Sequence, residues 1–394
     1  MDSPLVDVVV IGGGVQGLLI LDTLIEAGYS CALVTEGDLG GGQTLHSHGF
    51  LNTGFGMFGP ELPAAATELV YPYLRAHAVT VTGDWAILPP PGLPAVASLP
   101  PASLPDGFSP ATRDAARALP DRSFNKRQLV EALSQGREGN IFRGSAVGFR
   151  GQDPVEAVVL RLEENGAEVE LRARAVVVAA GCGSKRLLRD LVGATPQLEV
   201  IKHRAVQMLC LRAPHGALPA HSVAALSLGL LLAAHDDGES VTWYVTPMEV
   251  GGPSFDEAPN DATATARPGL LRRAWDTLQT LYPAILDVEG LQVGHYAGYR
   301  QDIDDLPGAR LCAVVAGAGN VIVALPSGLV GPWRNADDAL TLVRGLAAPS
   351  HAQSALAGAG QGVRVGSPVE DRPEFVWQSW EDWLRSLAQL TATI

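Results

Sequence analysis

A chain of 394 residues is long enough to bury more than one hydrophobic core. Its formal charge of −14, with only 18% charged residues, argues against nucleic acid or an anionic membrane as partner, because both select basic patches. Four cysteines (Cys31, Cys182, Cys210, Cys312) lack CxxC spacing, so neither a disulfide framework nor a metal site is expected, and a reducing, cytoplasmic setting fits.

Asp2 and the strand-like run after it do not read as a secretory signal. Residues 6–11 are apolar and of strand length, and Gly12-x-Gly14-x-x-Gly17 follows at once. An amphipathic helix to about Ala27 and a second strand at 31–35, ending in Glu36, complete a βαβ dinucleotide-binding fingerprint. Gly12 permits the tight turn, Gly14 lets the backbone approach a pyrophosphate, and Gly17 allows close helix–strand packing. The free N–H groups of the helix start then face the phosphates. Glu36 lies 19 residues past Gly17, where a carboxylate accepts from a ribose hydroxyl.

A glycine-rich run leads to Gln43-Thr44-Leu45-His46-Ser47-His48-Gly49. A strand is expected at 81–88, then a proline-dense surface loop over 89–120 and a helix over 125–134 with Ser123 as its N-cap. Short strands at 145–149 and 157–162 precede a turn at Glu164-Asn165-Gly166. The run 175–180, apolar on both faces, reads as an interior parallel strand whose carboxyl end reaches the crevice of the first glycine loop. From 203 to 290 the pattern changes to antiparallel sheet, with strands at 205–211, 229–233 and 240–245 and a helix at 270–281. The apolar run 224–234 within it is too short to span a membrane. Residues 310–330 return to strand and glycine turn, and a helix begins near Pro332. Residues 347–372 read as linker, and Trp377, Trp380 and Trp383 mark a C-terminal helix that docks on its own domain. The expected class is α/β with an α+β second lobe. Residues 1–80, 121–202 and 291–346 would form the dinucleotide lobe, 81–120 and 203–290 the substrate lobe, and 347–394 the linker and terminal helix.

The glycine fingerprint, the QTLHSHG loop, the AVVVAAG strand (175–181) and AGYRQ (297–301) together resemble the D-amino-acid oxidase-like family of FAD-dependent oxidoreductases. That family includes glycine oxidase, sarcosine oxidase and dimethylglycine dehydrogenase. The resemblance implies a Rossmann-like FAD-binding domain with an inserted antiparallel-sheet substrate domain. It puts the pyrophosphate at Gly12, Gly14 and Gly17, the ribose on Glu36, adenine against the backbone of Ala146-Val147, and the cofactor beside Gly181. Gln43, Thr44 and His46 would line the isoalloxazine. Non-covalent FAD is the expectation, with attachment through His46, as in the dimethylglycine dehydrogenase branch, as the alternative.

The same resemblance makes Arg300 the clamp for a substrate carboxylate; the competing reading is simple pairing with Asp302, Asp304 or Asp305. Two departures stand out: Gln301 replaces the family proline, and the family's Gly-His pair after the last strand is replaced by residues 323–332, which put Ser327 and Gly328 nearest the flavin. His48 would be a pocket base or hydrogen-bond donor, and Tyr244 a pocket wall. The implied reaction oxidises a C–H bond next to the amine of an amino acid or N-substituted amino acid, by hydride transfer to flavin N5, with dioxygen or another acceptor reoxidising the flavin. A flavin monooxygenase using NAD(P)H, and a non-catalytic FAD-binding subunit docking through its C-terminal helix, are the alternatives.

Overall fold

The computed structural model describes residues 5–51, 66–82, 84–89, 96, 99–248, 254–255, 267–303, 310–325, 328–351, 356 and 359–393. The chain opens as a parallel βαβ unit: β1 (Leu5–Ile11), α1 (Val15–Glu26) and β2 (Cys31–Thr35), with Val8 opposite Cys31. Helix α2 (Lys126–Ser134) is capped by Asn125, whose side chain accepts from Gln128 N at 3.0 Å. Ser123, the expected cap, sits instead in a short strand, where its hydroxyl accepts from Trp85 Nε1. β3 (Ile141–Arg150) starts parallel to β2, then forms an antiparallel meander with β4 (Ala157–Leu162) and the first half of β5 (Glu168–Val178). The last four residues of β5, 175–178, are fully buried and run parallel to β1, as their two apolar faces demand.

After α3 (Ser184–Val192) the chain crosses into β6 (Ile201–Pro214), β7 (Leu230–Asp236), β8 (Ser240–Pro247), α4 (Pro268–Leu281) and β9 (Gln292–Ile303). These strands form an antiparallel sheet in the order β9-β6-β8-β7, continued by Ser222–Ala225, then by Trp85–Ile87 in parallel and Arg117–Leu119 antiparallel to that. The sequence placed residues 291–303 with the dinucleotide lobe. Pairing corrects this: β9 bonds to β6 from Gln292–Arg212 to Ile303–Ile201, so the strand carrying Arg300 belongs to the second sheet. Alternation along β8 sets the two faces of this sheet. Trp243 and Val245 join Leu209, Leu211 and Val293 on the back, packed by Leu271, Trp275 and Leu278 of α4. Tyr244 lies with Met208, Cys210 and Tyr296 on the front, together with Phe50 from the first lobe.

The chain returns through the hairpin β10 (Leu311–Val315) and β11 (Ala318–Leu325), and β11 lies parallel to β5 on the side away from β1. Helix α5 (Gly331–Leu346) then locks onto α1: Asn335 Nδ2 donates to Gln16 Oε1 at 3.0 Å, and Gln16 Nε2 donates to Pro332 O at 3.3 Å. Residues 359–372, expected as part of the linker, and residues 373–379, with 375–379 expected to open the terminal helix, instead form a strap tied to both lobes. Leu39 N donates to Arg364 O at 2.9 Å, and Gln378–Ser379 pair with β9. The chain ends in α6 (Trp380–Thr393), where Trp380 stacks on Trp275 with ring centres 6.2 Å apart and Trp383 is fully buried against the same ring. The terminal helix thus docks on its own lobe, while Trp377 precedes it, under the Arg212 guanidinium. Among the described residues no helix is long and apolar enough to cross a membrane.

Candidate active site between the two sheets

The βαβ turn is built for close approach. Gly12 has φ +126°, and a Cβ there would lie 2.3 Å from Ala179 O, at the end of the neighbouring parallel strand. A Cβ on Gly17 would fall 1.8 Å from Gly12 O. Gly14 opens α1 at its N-terminus without a side-chain cap, and the first turn holds no acidic residue, so the positive end of the helix is uncompensated. Val15 N donates to Thr44 Oγ1 at 3.1 Å, which draws the Gln43–His46 turn against the helix start. Beside it, a Cβ at Gly42 would meet nothing within 4 Å, and one at Gly181 only Gln43 Oε1, at 3.9 Å. This open cradle, lined by backbone, fits a pyrophosphate. Glu36 is exposed at the end of β2 and accepts from Ser145 Oγ of β3 at 3.1 Å, with the exposed Val147 two residues along. Gly328, with φ +56°, is exposed just before α5; Ser327 lies outside the described residues.

The loop after this cradle packs on the front of the second sheet. Tyr296 OH donates to His46 O at 2.9 Å, and the His46 ring lies over Gly298. Arg372 of the strap donates to His46 Nε2 at 3.1 Å. Burial, then the charges of Arg372 and Lys126, push the His46 pKa down to about 4. His48 accepts from Phe50 N through Nδ1 at 3.3 Å, and its carbonyl accepts from His235 Nε2 at 2.7 Å. Burial first, then Lys126, His235 and Arg300, push the His48 pKa down to about 3. With Nδ1 already accepting, His48 keeps its proton on Nε2, which suits a donor and not a base.

The expected site residues fall into two groups. Arg300 projects from the front of β9, two positions beyond Gly298, is about half exposed and donates to Asp302 at 2.8 Å. Asp302 also receives Arg204 at 3.0 Å. Tyr244 lies elsewhere: Cys210 pairs with both Tyr244 and Gly294, and Arg300 is six positions beyond Gly294. At about 3.3 Å per residue, that separates Tyr244 from Arg300 by roughly 20 Å along the sheet. Tyr244 keeps company the sequence reading missed. Its hydroxyl donates to Glu370 Oε1, and Lys126 Nζ stands 4.4 Å from its ring centre and 3.8 Å from Glu370. Lys126 is buried and donates to Leu45 O at 3.2 Å and to Ser47 O at 2.6 Å; burial lowers its pKa despite Glu370. Glu370 is buried too, and its Oε2 has no hydrogen-bond partner among the described residues. Two signals pointed to these residues. Lys126 is one of only three lysines in the chain, and Glu370-Asp371-Arg372 is a charged knot within a stretch rich in glycine and proline.

Residues 91–328 match the model of the DAO family, described as FAD dependent oxidoreductase. The chain belongs to that family. It is therefore an FAD-dependent oxidoreductase, and the cradle at Gly12, Gly14 and Gly17 with Glu36 is suited to hold its cofactor. A probable FAD-dependent oxidoreductase of Pseudomonas aeruginosa, PA4991, is 26% identical over 295 residues, covering 66% of this chain and 73% of that protein. The crystal structure of PA4991 superposes with a TM-score of 0.72 at 21% identity, over 93% of this chain and 98% of that one. L-amino acid deaminase from Proteus vulgaris gives 0.66 at 17% identity, over 87% and 91% of the two chains. Glycine oxidase from Geobacillus kaustophilus gives 0.65 at 18% identity, over 92% and 100%. These likenesses share the fold, a mixed α/β molecule.

Proposed function

We propose that this enzyme oxidises the C–H bond next to the nitrogen of an amino acid or N-substituted amino acid, with dioxygen as the terminal acceptor. Bound FAD supplies the hydride acceptor. The observation that carries this reading is the place of Arg300, on the same front face as Gly298, over which His46 lies. A planar guanidinium there can take a substrate carboxylate bidentately, and Asp302 has Arg204 as a second partner when Arg300 turns to the substrate. His48, neutral with its proton on Nε2, adds a donor without adding a charge. Two relatives are named for amino-acid substrates, an L-amino acid deaminase and a glycine oxidase, which supports the substrate class.

The test is anaerobic mixing of the holoenzyme with amino and imino acids while the flavin band is followed. Bleaching by a carboxylate-bearing amine supports the reading. Bleaching by hydroxy acids alone, or only by reduced nicotinamide, sinks it. With a bleaching substrate in hand, Arg300→Ala is expected to raise KM about 10- to 100-fold, the worth of a charge-assisted fork, and to leave carboxylate-free amines unaffected. An unchanged KM removes Arg300 from the carboxylate.

A further inference from the structure

His46 and Arg372 are 326 positions apart in sequence, yet their side chains meet beside the cofactor cradle. Arginine has donors only. The contact at 3.1 Å therefore puts the single lone pair of a neutral imidazole on Nε2, and the ring proton on Nδ1. His46 Nδ1 has no partner among the described residues and lies 4.0 Å from where a Cβ of Gly298 would be, a side left open because that residue is glycine. The arginine is itself held in place: Nε donates to Ser367 O at 3.2 Å and Nη2 to Gly41 O at 3.3 Å. The strap around it is anchored on both sides. Asp371 pairs with Arg212 at 2.9 Å, and Trp377 Nε1 donates to Glu370 O at 3.1 Å.

We propose that Arg372 is a positioning residue for the cofactor: its hydrogen bond to His46 fixes the imidazole proton on Nδ1, makes His46 a donor to the bound flavin, and leaves no ring lone pair free for a covalent bond to FAD. The flavin ring edge offers carbonyl and ring-nitrogen acceptors for such a donor. The charged groups that act on His46 are Arg372 and Lys126, and both favour the uncharged ring that this arrangement needs. The inference depends on FAD binding and not on which substrate is oxidised, so it stands or falls apart from the amine reading.

Acid precipitation of the purified holoenzyme comes first: all of the FAD is expected in the supernatant, and flavin retained on the protein overturns the proposal. Next, FAD affinity and the visible flavin spectrum are measured for Arg372→Met, His46→Phe and the double variant. Each single change is expected to weaken FAD binding about tenfold and to shift the flavin band, since each disrupts the one hydrogen bond that His46 gives the flavin. The double variant is expected to lose no more than either single, because Arg372 acts through His46. Arg372→Lys, which still donates, is expected to restore the wild-type spectrum. Full additivity, or a wild-type spectrum and affinity in His46→Phe, overturns the proposal. The His46→Phe variant leaves the strap and its anchors intact, so it decides the matter even if Arg372→Met does not fold.

Discussion

Replacing Lys126 by Met keeps most of the side-chain volume and removes the charge. In the wild type the ammonium serves three acceptors: Leu45 O at 3.2 Å, Ser47 O at 2.6 Å and, more distantly, the Glu370 carboxylate at 3.8 Å. The variant strands Glu370, which is buried; among the described residues one of its oxygens already lacks a hydrogen-bond partner and the other keeps the Tyr244 hydroxyl. Breaking a buried pair from one side costs about 3–5 kcal/mol, because the remaining charge has lost its compensation. The long Lys–Glu distance and the desolvation relieved by removing Lys126 place this case near the lower end, about 3 kcal/mol. At about 2.1 cal/mol/K of unfolding entropy per residue, a chain of 394 residues loses about 1.2 °C per kcal/mol, so the melting temperature should fall by about 4 °C. Adding Glu370→Gln removes the stranded charge, and the amide oxygen can still accept from Tyr244. The double variant should therefore be more stable than Lys126→Met alone, with a coupling of about 2 kcal/mol. Denaturant unfolding followed by tryptophan fluorescence, run on wild type, both singles and the double, closes the cycle. A loss under about 0.5 kcal/mol for Lys126→Met, or strict additivity, refutes the claim that these buried charges compensate one another.

Two further outcomes test the packing and the electrostatics of the same assembly. Trp383→Ala empties a fully buried indole site against Trp275 and removes the bond from Trp383 Nε1 to His295 Nδ1, so it should cost about 3–5 kcal/mol in thermal or chemical unfolding; a change below 1 kcal/mol would mean α6 is not docked. On acidification, the folded-state values of His46 and His235 (about 4) and of His48 (about 3) lie below the ordinary histidine value of about 6.5. Between those limits the unfolded chain binds more protons than the folded one, so stability present above pH 6.5 should be lost progressively as pH falls toward about 4. A melting temperature that stays flat over that window contradicts the assigned burial.

Much of the fold was written locally. The strand, glycine turn, helix and acid of the first 36 residues carry period and turn chemistry that tertiary context only confirms. The doubly apolar run at 175–178 could sit nowhere but inside a parallel sheet. What failed did so for want of local signal. β9 has alternation that suits either sheet, and only its register with β6 decides between them. Ser123 and Asn125 are both good caps, and the extended backbone that pairs Ser123 with Thr82 leaves Asn125 to do the capping. The strap was misread because glycine and proline report only that a segment is neither helix nor strand. They do not report that Glu370 and Arg372 are carried by it into the interior.

The two polar centres on the front of the second sheet also sort the site residues by what they can do. One holds Arg204, Arg300 and Asp302; the other holds Lys126, Tyr244 and Glu370, and the loop from Gln43 to Leu51 runs between them. With roughly 20 Å of sheet between Tyr244 and Arg300, an amino acid whose carboxylate rests on Arg300 cannot also reach Tyr244. Tyr244, expected as a pocket wall, is in this arrangement part of a buried clamp. Lys126 grips the backbone of that loop on either side of His46, and the strap grips the His46 ring. Burying a lysine and a glutamate is expensive, and hydrophobic side chains could fill the same volume at less cost. Two hydrogen bonds to loop carbonyls and one to an imidazole fix a geometry that apolar packing cannot, which gives this acidic, lysine-poor chain a reason to keep one of its few lysines inside.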